Sequence, residues 1–325
     1  MTSYAIKAAA LAVPERVVTN HDLEQIMDTS DEWIKRRTGI ERRHIAVAET
    51  NASLATKVAR QLVEQAQMDV HRLDYIIVAT MSPDHLTPAV AAEVQGALGA
   101  TNAVAFDVNA ACSGFVYATD VMNSLLAKLP GGTGIVIGSE RLSKLVDWHD
   151  RSTAVLFGDG AAGVLVTNDG SASQVMGADL KTAGDLGSSL TAGQMVEKTP
   201  FGNGNLDARH RFFQMDGHVV YNFATRQAPA SIRRATEQAG LDLSDIKYFV
   251  MHQANARIVK RVAKKLDLPD QRFPINITEY GNTAAASEPI LLAELINQHQ
   301  IQRGDYIALT GFGGGLTVGT VIIRY

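Results

Sequence analysis

Residues 103–115 read AVAFDVNAACSGF, a segment that changes abruptly from strand-like to helix-like character. Its first seven residues alternate and are rich in β-branched and aromatic types, which predicts a buried strand over residues 103–109. Small residues and Gly114 then turn the chain, and apolar residues recur at helical spacing from Phe115 onward. Because similar strand and helix patterns alternate along the chain, we predict an α/β fold with largely buried strands.

The only cysteine of the chain, Cys112, lies at this turn. A cysteine at the start of a helix faces free N–H groups and the positive end of the helix dipole, which favour the thiolate. The thiolate is the nucleophilic form of cysteine. A lone cysteine is also often a small buried hydrophobe, so the local context leaves a nucleophile and a core residue both open.

Composition and charge narrow the class of protein. Of the 325 residues, 46% are hydrophobic and 20% charged, which is typical of a globular protein with a large core. A single cysteine excludes an internal disulfide and favours a reducing compartment. The net charge of −4 and the pI near 6.1 argue against nucleic-acid binding. Since no apolar stretch approaches the roughly 18 residues of a membrane span, we expect a cytoplasmic protein without membrane contact.

Three predicted strands recur in the same order in the two parts of the chain. The pairs of similar segments are 73–80 with 246–252, 104–112 with 272–282, and 134–139 with 305–311. Single apolar strands often match by chance, but a repeated order is harder to obtain by accident. We therefore predict two pseudo-symmetric halves, residues 1–170 and 171–325, with a boundary at a turn signal that includes Asn168.

Several polar residues stand at corresponding ends of these predicted strands. Active sites in α/β sheets favour the carboxyl ends of strands. Cys112, His252 and Asn282 occupy such positions and could converge, although the Gly-Asn pair at 281–282 is also an ordinary turn sequence. The glycine run at residues 311–315 precedes a closing strand, so it is not a dinucleotide fingerprint. Its backbone N–H groups could form an oxyanion hole, or the run could form a tight turn or bulge.

A basic stripe follows the candidate histidine. Arg257, Arg261, Lys264 and Lys265 recur at helical spacing, and apolar residues occupy the opposite face. A charged stripe is usually a solvated helix face. A purely basic stripe in an acidic protein also suits an acidic partner or a phosphate-bearing substrate.

Two other features bear on the site. No paired-cysteine spacing and no His-Glu-x-x-His motif occurs, so we expect no metal centre. Residues 177–205 are rich in glycine, serine and asparagine and show weak periodicity. They predict a long surface loop of the kind that often serves as a lid or a binding loop.

Six motifs resemble β-ketoacyl-acyl carrier protein synthase III, the enzyme that starts type II fatty acid synthesis. The motifs are TSDEWIKRRTGIERRH at 29–44, NAACSGF at 109–115, RSTAVLFGDG at 151–160, HQANARI at 252–258, GNTAAAS at 281–287 and GFGGGLT at 311–317. The resemblance extends over essentially the whole chain. It implies a thiolase-like fold, with two pseudo-symmetric βαβαβαββ halves in a five-layer α-β-α-β-α arrangement, and a homodimer. It also implies acyl-coenzyme A as a substrate and no permanently bound cofactor.

The resemblance also implies roles for individual residues. It implies a catalytic triad of Cys112, His252 and Asn282, and an oxyanion hole made by the backbone N–H groups of Cys112 and Gly314. Thr87 stands where some members have a phenylalanine that reaches into the acyl pocket of the partner subunit, and its smaller side chain could admit longer or branched acyl groups as well as acetyl. The implied coenzyme A contacts are Trp33, Arg37 and Arg151. The implied acyl carrier protein contacts are Gln253, Arg257, Arg261, Lys264 and Lys265.

The implied reaction has two stages. The Cys112 thiolate first attacks an acyl-coenzyme A thioester and becomes acylated as coenzyme A leaves. Malonyl-acyl carrier protein then loses carbon dioxide while His252 and Asn282 donate hydrogen bonds to its thioester carbonyl. The resulting enolate attacks the acyl group on Cys112 and gives 3-ketoacyl-acyl carrier protein. A covalent intermediate of this kind predicts ping-pong kinetics.

Three other classes share parts of this pattern. Papain-like proteases have the same order of cysteine, histidine and asparagine, but their cysteine lies near the mature N-terminus in a different motif. Other thiolase-fold condensing enzymes, which make hydroxymethylglutaryl-coenzyme A, polyketides or quinolones, share the triad and differ in donor or acceptor. The third class is a non-catalytic carrier-binding homologue, and the intact triad argues against it.

Overall fold

The computed structural model describes residues 3–195, 198–203 and 208–325. Within these ranges it contains fifteen β-strands and ten α-helices. The strands are β1 (Ala5–Ala12), β2 (Val17–Thr19), β3 (Arg42–His44), β4 (Tyr75–Ala79), β5 (Val104–Val108), β6 (Thr133–Glu140), β7 (Gly160–Thr167), β8 (Gln174–Thr182), β9 (Leu190–Thr191), β10 (Lys198–Thr199), β11 (Gly202–Asn203), β12 (Gln214–Met215), β13 (Ile246–Met251), β14 (Tyr306–Gly313) and β15 (Thr317–Arg324). The helices are α1 (Asn20–Glu24), α2 (Asp31–Thr38), α3 (Asn51–Gln65), α4 (Val90–Leu98), α5 (Gly114–Leu126), α6 (Arg151–Ala154), α7 (Gly217–Gln238), α8 (Ala256–Leu266), α9 (Ile277–Tyr280) and α10 (Ser287–Asn297).

Two sheets carry the fold. The first has the order β1-β7-β6-β4-β5, in which β4 runs parallel to both β5 and β6 while β7 is antiparallel to β1 and β6. The second has the order β13-β14-β15-β8, with a parallel β13–β14 pair and antiparallel neighbours beyond it. The predicted boundary at residues 168–171 falls between β7 and β8. The division into two halves at that point stays a prediction.

Helices cover the outer faces of the two sheets and fill the space between them. Helices α3 and α4 pack on the first sheet, α5 and α10 lie between the sheets, and α7, with α8 beside it, packs on the second sheet. Three large apolar clusters fill the layers in the same order. This is the five-layer α-β-α-β-α arrangement that the resemblance implied. Among the described residues, no helix is both long enough and apolar enough to cross a membrane.

Small residues bring three segments together next to Cys112. A Cβ atom on Gly114, at the start of α5, would lie 3.2 Å from the Cβ of Ala79 and 3.4 Å from that of Ala285. A Cβ atom on Gly138 in β6 would overlap the carbonyl oxygen of Ala285. The first sheet, the start of α5 and the turn of residues 284–286 can therefore approach one another only because these positions carry glycine and alanine.

The strand that leads to Cys112 is less buried than its sequence predicts. The alternation of residues 103–109 predicts a buried strand, and β5 does form there, but as the last strand of the first sheet. Only β4 pairs with it among the described residues, and the Val104 side chain is 57% exposed. An edge strand presents a row of unpaired N–H and C=O groups. When such a strand also carries apolar side chains, folded proteins normally cover it with another element or another chain.

Two other local predictions also differ from the structure. Residues 272–282 do not form a strand but contain the end of a 3₁₀ turn, Asp270–Arg272, and helix α9. Pro274 has no N–H to offer a β-ladder, which disfavours the predicted strand. Residues 177–205 are not one loop, because β8 continues to Thr182 and a 3₁₀ helix, Gly184–Ser189, follows. Part of that predicted loop, residues 196–197 and 204–205, lies outside the described residues.

Candidate active site

Cys112, His252 and Asn282 line one cavity of about 1300 Å³. Cys112 follows β5, His252 directly follows β13, and Asn282 follows α9, so three separate segments contribute. All three side chains are nearly buried, with exposed fractions of 6%, 1% and 7% respectively. The structure therefore brings together the three residues that the sequence placed at corresponding segment ends.

Cys112 lies in a tight 3₁₀ turn, Ala111–Ser113, that leads directly into α5. Ala111 adopts a φ of +45°, a conformation that is strained for a residue with a Cβ and is typical of functional turns. The strained residue directly precedes Cys112, so the turn fixes the direction in which the thiol leaves the backbone.

The glycine run of residues 311–315 packs directly against this turn. A Cβ atom on Gly313 would lie 2.7 Å from the Cβ and 2.8 Å from the Sγ of Cys112. The backbone N–H groups of Gly314 and of Cys112 itself both contact the sulfur and lower the pKa of its thiol. Two N–H groups that converge on the sulfur would also lie near the carbonyl oxygen of an acyl group bound to it, and an oxyanion hole at this place stays a prediction.

Burial dominates the ionisation of Cys112. It raises the pKa of the thiol well above its usual value, and Glu288 and Glu140 nearby act in the same direction. The two backbone N–H groups oppose this effect but are the smaller influence. The helix start was expected to favour the thiolate, but desolvation has the larger effect on the resting thiol.

His252 is held as a neutral ring. Burial lowers the pKa of His252 to about 3, and the backbone carbonyl of Ala284 acts in the opposite direction. The Nδ1 atom lies 2.7 Å from the Ser287 Oγ, and the ring meets that of Phe312 edge to face at a centroid distance of 5.2 Å. A neutral imidazole has one N–H donor and one acceptor nitrogen, so the chemistry of this residue depends on which nitrogen holds the proton.

Asn282 presents its amide N–H groups to the cavity. Its backbone is fixed on both sides, since its N–H donates to Leu156 at 2.9 Å and its carbonyl accepts from Gly158 at 3.0 Å. The side-chain Oδ1 accepts the N–H of Ala284 at 2.9 Å. With Oδ1 occupied, Nδ2 remains as the polar group that can bind a carbonyl oxygen.

An aromatic ring with two arginines against it lies at the cavity wall. The guanidinium carbons of Arg37 and Arg151 lie 4.9 Å and 5.5 Å from the ring centroid of Trp33, within the range of cation–π contacts. Arg151 also donates from Nη1 to the backbone carbonyl of Asp28 at 2.6 Å. The exposed guanidinium groups and the indole ring together offer stacking and phosphate-binding groups at one place.

The basic face of α8 is exposed, as its spacing predicts. Arg257 lines the cavity and donates from Nη2 to the Arg36 carbonyl at 2.6 Å, which ties α8 to α2. The basic face consists of Arg257, Arg261, Lys264 and Lys265. The fifth expected carrier contact is not supported, because Gln253 is only 1% exposed and its amide donates to the Met251 carbonyl at 2.9 Å. A side chain with this burial cannot reach a docked protein.

Two aromatic rings that the sequence analysis did not single out form part of the cavity wall. Phe157 and Phe213 stack with ring centroids 4.0 Å apart and pack in the same apolar cluster as Cys112. Nothing in the local pattern marks them, because the two residues come from distant parts of the chain and meet only in the folded protein.

Two buried carboxyl groups near the nucleophile were also missed. Glu140 accepts hydrogen bonds from the Ser82 hydroxyl and from the Met81 N–H, and burial raises its pKa to about 8. Glu288 is the second residue of the apolar helix α10 and is completely buried. A glutamate inside the apolar sequence SEPILLAELI is the one signal that could have identified the second group, since charged residues are rarely buried.

Comparisons with known proteins agree with this arrangement. The family model of 3-oxoacyl-[acyl-carrier-protein (ACP)] synthase III matches residues 106–184, and the model of its C-terminal part matches residues 236–325. A β-ketoacyl-[acyl-carrier-protein] synthase III 2 of Lactiplantibacillus plantarum is 54% identical, covering 100% of this chain and 99% of that protein. A β-ketoacyl-[acyl-carrier-protein] synthase III of Lactobacillus helveticus is 53% identical, over 99% of this chain and 98% of that protein.

A solved structure extends the similarity to the fold. The crystal structure of 3-oxoacyl-[acyl-carrier-protein] synthase III from Aquifex aeolicus VF5 aligns with a TM-score of 0.92 at 40% identity, covering 99% of this chain and 100% of that one. The fold is therefore thiolase-like, and the protein is a condensing acyltransferase of fatty acid biosynthesis. The chain belongs to the 3-oxoacyl-[acyl-carrier-protein] synthase III family. This confirms the family to which the six sequence motifs pointed.

Proposed function

We propose that the chain condenses an acyl-coenzyme A primer with malonyl-acyl carrier protein, with Cys112 as the nucleophile and His252 and Asn282 as hydrogen-bond donors. One observation carries this assignment: a thiol, a neutral imidazole and an amide share one cavity with two backbone N–H groups aimed at the sulfur. Each group matches a need of the reaction, and no permanently bound cofactor takes part.

In the first half-reaction, the Cys112 sulfur forms a bond to the acyl carbon and coenzyme A leaves. The thiol proton ends on the sulfur of coenzyme A, so atoms and charge balance. The N–H groups of Cys112 and Gly314 stabilise the oxyanion that forms on the way. His252, whose pKa burial lowers to about 3, is a weak base for the resting thiol. The backbone N–H groups of Cys112 and Gly314, which lower the pKa of the thiol, therefore favour the thiolate in this step.

In the second half-reaction, the malonyl group loses carbon dioxide and its electron pair becomes an enolate. Nε2 of His252 and Nδ2 of Asn282 donate to the thioester carbonyl and stabilise the negative charge on that oxygen. The enolate carbon then attacks the acyl carbon and breaks its bond to Cys112. The products are 3-ketoacyl-acyl carrier protein, carbon dioxide and the Cys112 thiolate, which takes up a proton from water to regenerate the thiol.

The substrates are assigned to the two polar regions around the cavity. The Trp33 ring with Arg37 and Arg151 suits the adenine and phosphates of coenzyme A, because guanidinium groups bind phosphate and stack on flat rings. The basic face of α8 suits an acidic carrier protein, and Arg257 connects this face to the cavity. A carrier docked there would deliver its prosthetic arm to the same opening.

A homodimer in the cytoplasm is part of the proposal. The half-exposed edge of β5 supports the dimer, because a second copy pairing there would cover its unpaired backbone groups. Thr87 lies exposed on the segment before α4 and does not line the cavity of its own chain. Its expected role in the partner's acyl pocket stays a prediction.

Intact-protein mass after mixing with a panel of acyl-coenzyme A thioesters tests the proposal. We expect a gain of one acyl group, its absence in Cys112→Ala, and release of the adduct as product when malonyl-acyl carrier protein is added. The thioester that loads fastest identifies the primer. If no short or branched thioester loads the protein, the primer assignment is wrong, and a condensing enzyme with another acyl donor takes its place.

A further inference from the structure

The carboxyl group of Glu288 lies beside the site, and no step described above uses it. It is completely buried, and its Oε1 has no hydrogen-bond partner among the described residues. A Cβ atom on Gly311 would lie 2.7 Å from that oxygen, so the carboxyl group faces β14 next to the turn of Cys112. Its other oxygen, Oε2, lies 3.0 Å from the Ser287 Oγ.

Ser287 connects this carboxyl group to His252. Its Oγ lies 2.7 Å from the His252 Nδ1, 2.8 Å from the Ala284 carbonyl oxygen and 3.2 Å from the backbone nitrogen of Gln253. A hydroxyl has one hydrogen to donate and two lone pairs to accept with. The N–H of Gln253 occupies one lone pair, so only one more donor can be accommodated.

The protonation state of Glu288 decides which group fills that place. A neutral Glu288 donates through Oε2 and takes the second lone pair of Ser287. The short contact to His252 is then a hydrogen bond only if Ser287 donates to an unprotonated Nδ1, which leaves the ring proton on Nε2. An ionised Glu288 would accept the hydroxyl hydrogen and leave the oxygen free to accept from an Nδ1–H.

We propose that Glu288 is a positioning residue that acts as a neutral acid: it donates to Ser287, which donates to Nδ1 of His252 and so holds the Nε2–H toward the cavity. The proposal rests on the function proposed above for His252, which needs a donor at Nε2. The Ala284 carbonyl competes, because it can accept from Ser287 or from an Nδ1–H. The hydrogen bond donated by Glu288 favours the arrangement in which Ser287 donates to Nδ1, because an Nδ1–H would then find no free lone pair on the Ser287 oxygen.

The surroundings of Glu288 favour the neutral form. Burial raises the pKa of Glu288 well above its usual value, and Glu140 on β6 acts in the same direction. Its own backbone N–H and the Ser287 hydroxyl act against them and are the smaller influences. The other titratable groups around it are Cys112, at the turn before α5, and His252, at the end of β13. Neither brings a positive charge, since the thiol and the ring are both neutral here.

The ¹⁵N chemical shifts of the His252 ring nitrogens test the proposal, because they distinguish a protonated from an unprotonated nitrogen. We expect the proton on Nε2 in the wild-type protein and in Glu288→Gln, whose amide N–H₂ can also donate to Ser287. In Glu288→Val we expect it on Nδ1. The rate of malonyl-thioester decarboxylation should fall on the order of 100-fold in Glu288→Val, the effect of losing one oxyanion donor, and return in Glu288→Gln. Acylation of Cys112 should change far less.

Glu93→Val is the matched control, because Glu93 also has a buried carboxyl oxygen that finds no partner in the described part of the chain, but it lies on α4, outside the cavity. Glu93→Val should change neither the ¹⁵N shifts of the His252 ring nor the ratio of the decarboxylation rate to the acylation rate. A wild-type spectrum with the proton on Nδ1 overturns the proposal, as does a Glu288→Val protein that keeps it on Nε2. If Glu288→Val fails to fold, the wild-type and Glu288→Gln spectra decide. Retained decarboxylation in His252→Ala would instead refute the role of His252, independently of the ring shifts.

Discussion

The rings of Phe157 and Phe213 stack at 4.0 Å, nearly parallel, and together form an apolar wall of the cavity beside Cys112. We expect this wall of two stacked rings to limit the space beside the nucleophile and so the length of an acyl group bound to Cys112. The stack joins the segment after α6 to the segment before β12, so the size of this space is a property of the tertiary fold.

Phe213→Ala should therefore shift primer preference toward longer acyl chains. We expect the ratio of kcat/KM for hexanoyl- over acetyl-coenzyme A to rise at least about tenfold, since single methylene groups in apolar pockets change such ratios by 10-fold or more. Phe273→Ala is the control, because it breaks the Phe249–Phe273 stack, at 4.6 Å, in a different apolar cluster. Both variants should lose roughly 3–5 kcal/mol of stability, and only the first should change selectivity. An unchanged ratio in Phe213→Ala, or in the milder Phe213→Leu, would show that the stack does not limit the acyl group.

Gly313→Ala should slow acylation while leaving the fold intact. The added methyl group would lie within 2.8 Å of the Cys112 sulfur, and a displaced nucleophile loses on the order of 100-fold in rate. Gly96→Ala in α4 is the control, because a Cβ there meets nothing within 4 Å and should stabilise the helix by about 0.5–1 kcal/mol. Rapid-quench mass spectrometry measures the acylation rate. A Gly313→Ala protein that acylates at the wild-type rate would contradict the close packing of the glycine run on Cys112.

Glu140 should make the protein less stable as the pH rises from about 4.5 to 8. Burial raises the pKa of Glu140 to about 8 in the folded protein, so the folded state binds more protons than the unfolded state in this window. The contribution of the neutral Glu140 carboxyl to the free energy of unfolding is complete below about pH 4.5, the usual pKa of a glutamate. This contribution is lost as the pH rises through 8. Glu140→Gln does not titrate, so its free energy of unfolding should change less between pH 5 and pH 8.

Chemical denaturation at several pH values measures this difference. The exposed Glu64 on α3 offers the control substitution Glu64→Gln, which removes the same charge far from the cavity. We expect the difference in the free energy of unfolding between Glu140→Gln and the wild-type protein to grow in favour of the variant toward pH 8. A difference that stays constant would mean that Glu140 is already ionised in the folded protein.

Reversing two charges on the basic face of α8 should weaken the carrier substrate selectively. We expect Arg261→Glu combined with Lys264→Glu to raise KM for malonyl-acyl carrier protein about tenfold at low salt and less at high salt, because screening weakens such contacts. The rate with acyl-coenzyme A in the first half-reaction should not change. Lys57→Glu with Arg60→Glu on α3 is the control, with the same spacing and charge change on the opposite outer layer. An equal effect of both double variants would remove the docking assignment.

Sequence patterns were sufficient where local rules govern the structure. The strand before Cys112, the helix after it and the amphipathic helix α8 follow from periodicity and turn residues, and all three form near the predicted bounds. The repeated segments indicated that Cys112, His252 and Asn282 could converge, and the three residues do line one cavity, although Asn282 follows helix α9 and not the predicted strand.

The remaining features depend on the surroundings of a residue rather than on its neighbours in sequence. Burial of Gln253 cannot be read from the exposed helix that follows it. The high pKa of the Cys112 thiol results from desolvation by several layers, which the helix-start argument could not include. Glu288 looks like an ordinary acidic residue in the first turn of a helix. Its complete burial, and the Ser287 hydroxyl that lies between it and His252, distinguish it from such a residue, and both are visible only in the folded protein.

The edge position of β5 has a consequence for how this enzyme is kept active in dilute solution. The strand ends at Val108, four residues before Cys112, and it has one free side along its whole length among the described residues. Any contact that orders or disorders that side also sets the geometry of the turn that carries the thiol. In the proposed homodimer, specific activity should therefore depend on protein concentration, because dissociation would free this side of β5 and inactivate the nucleophile before the rest of the fold is disturbed.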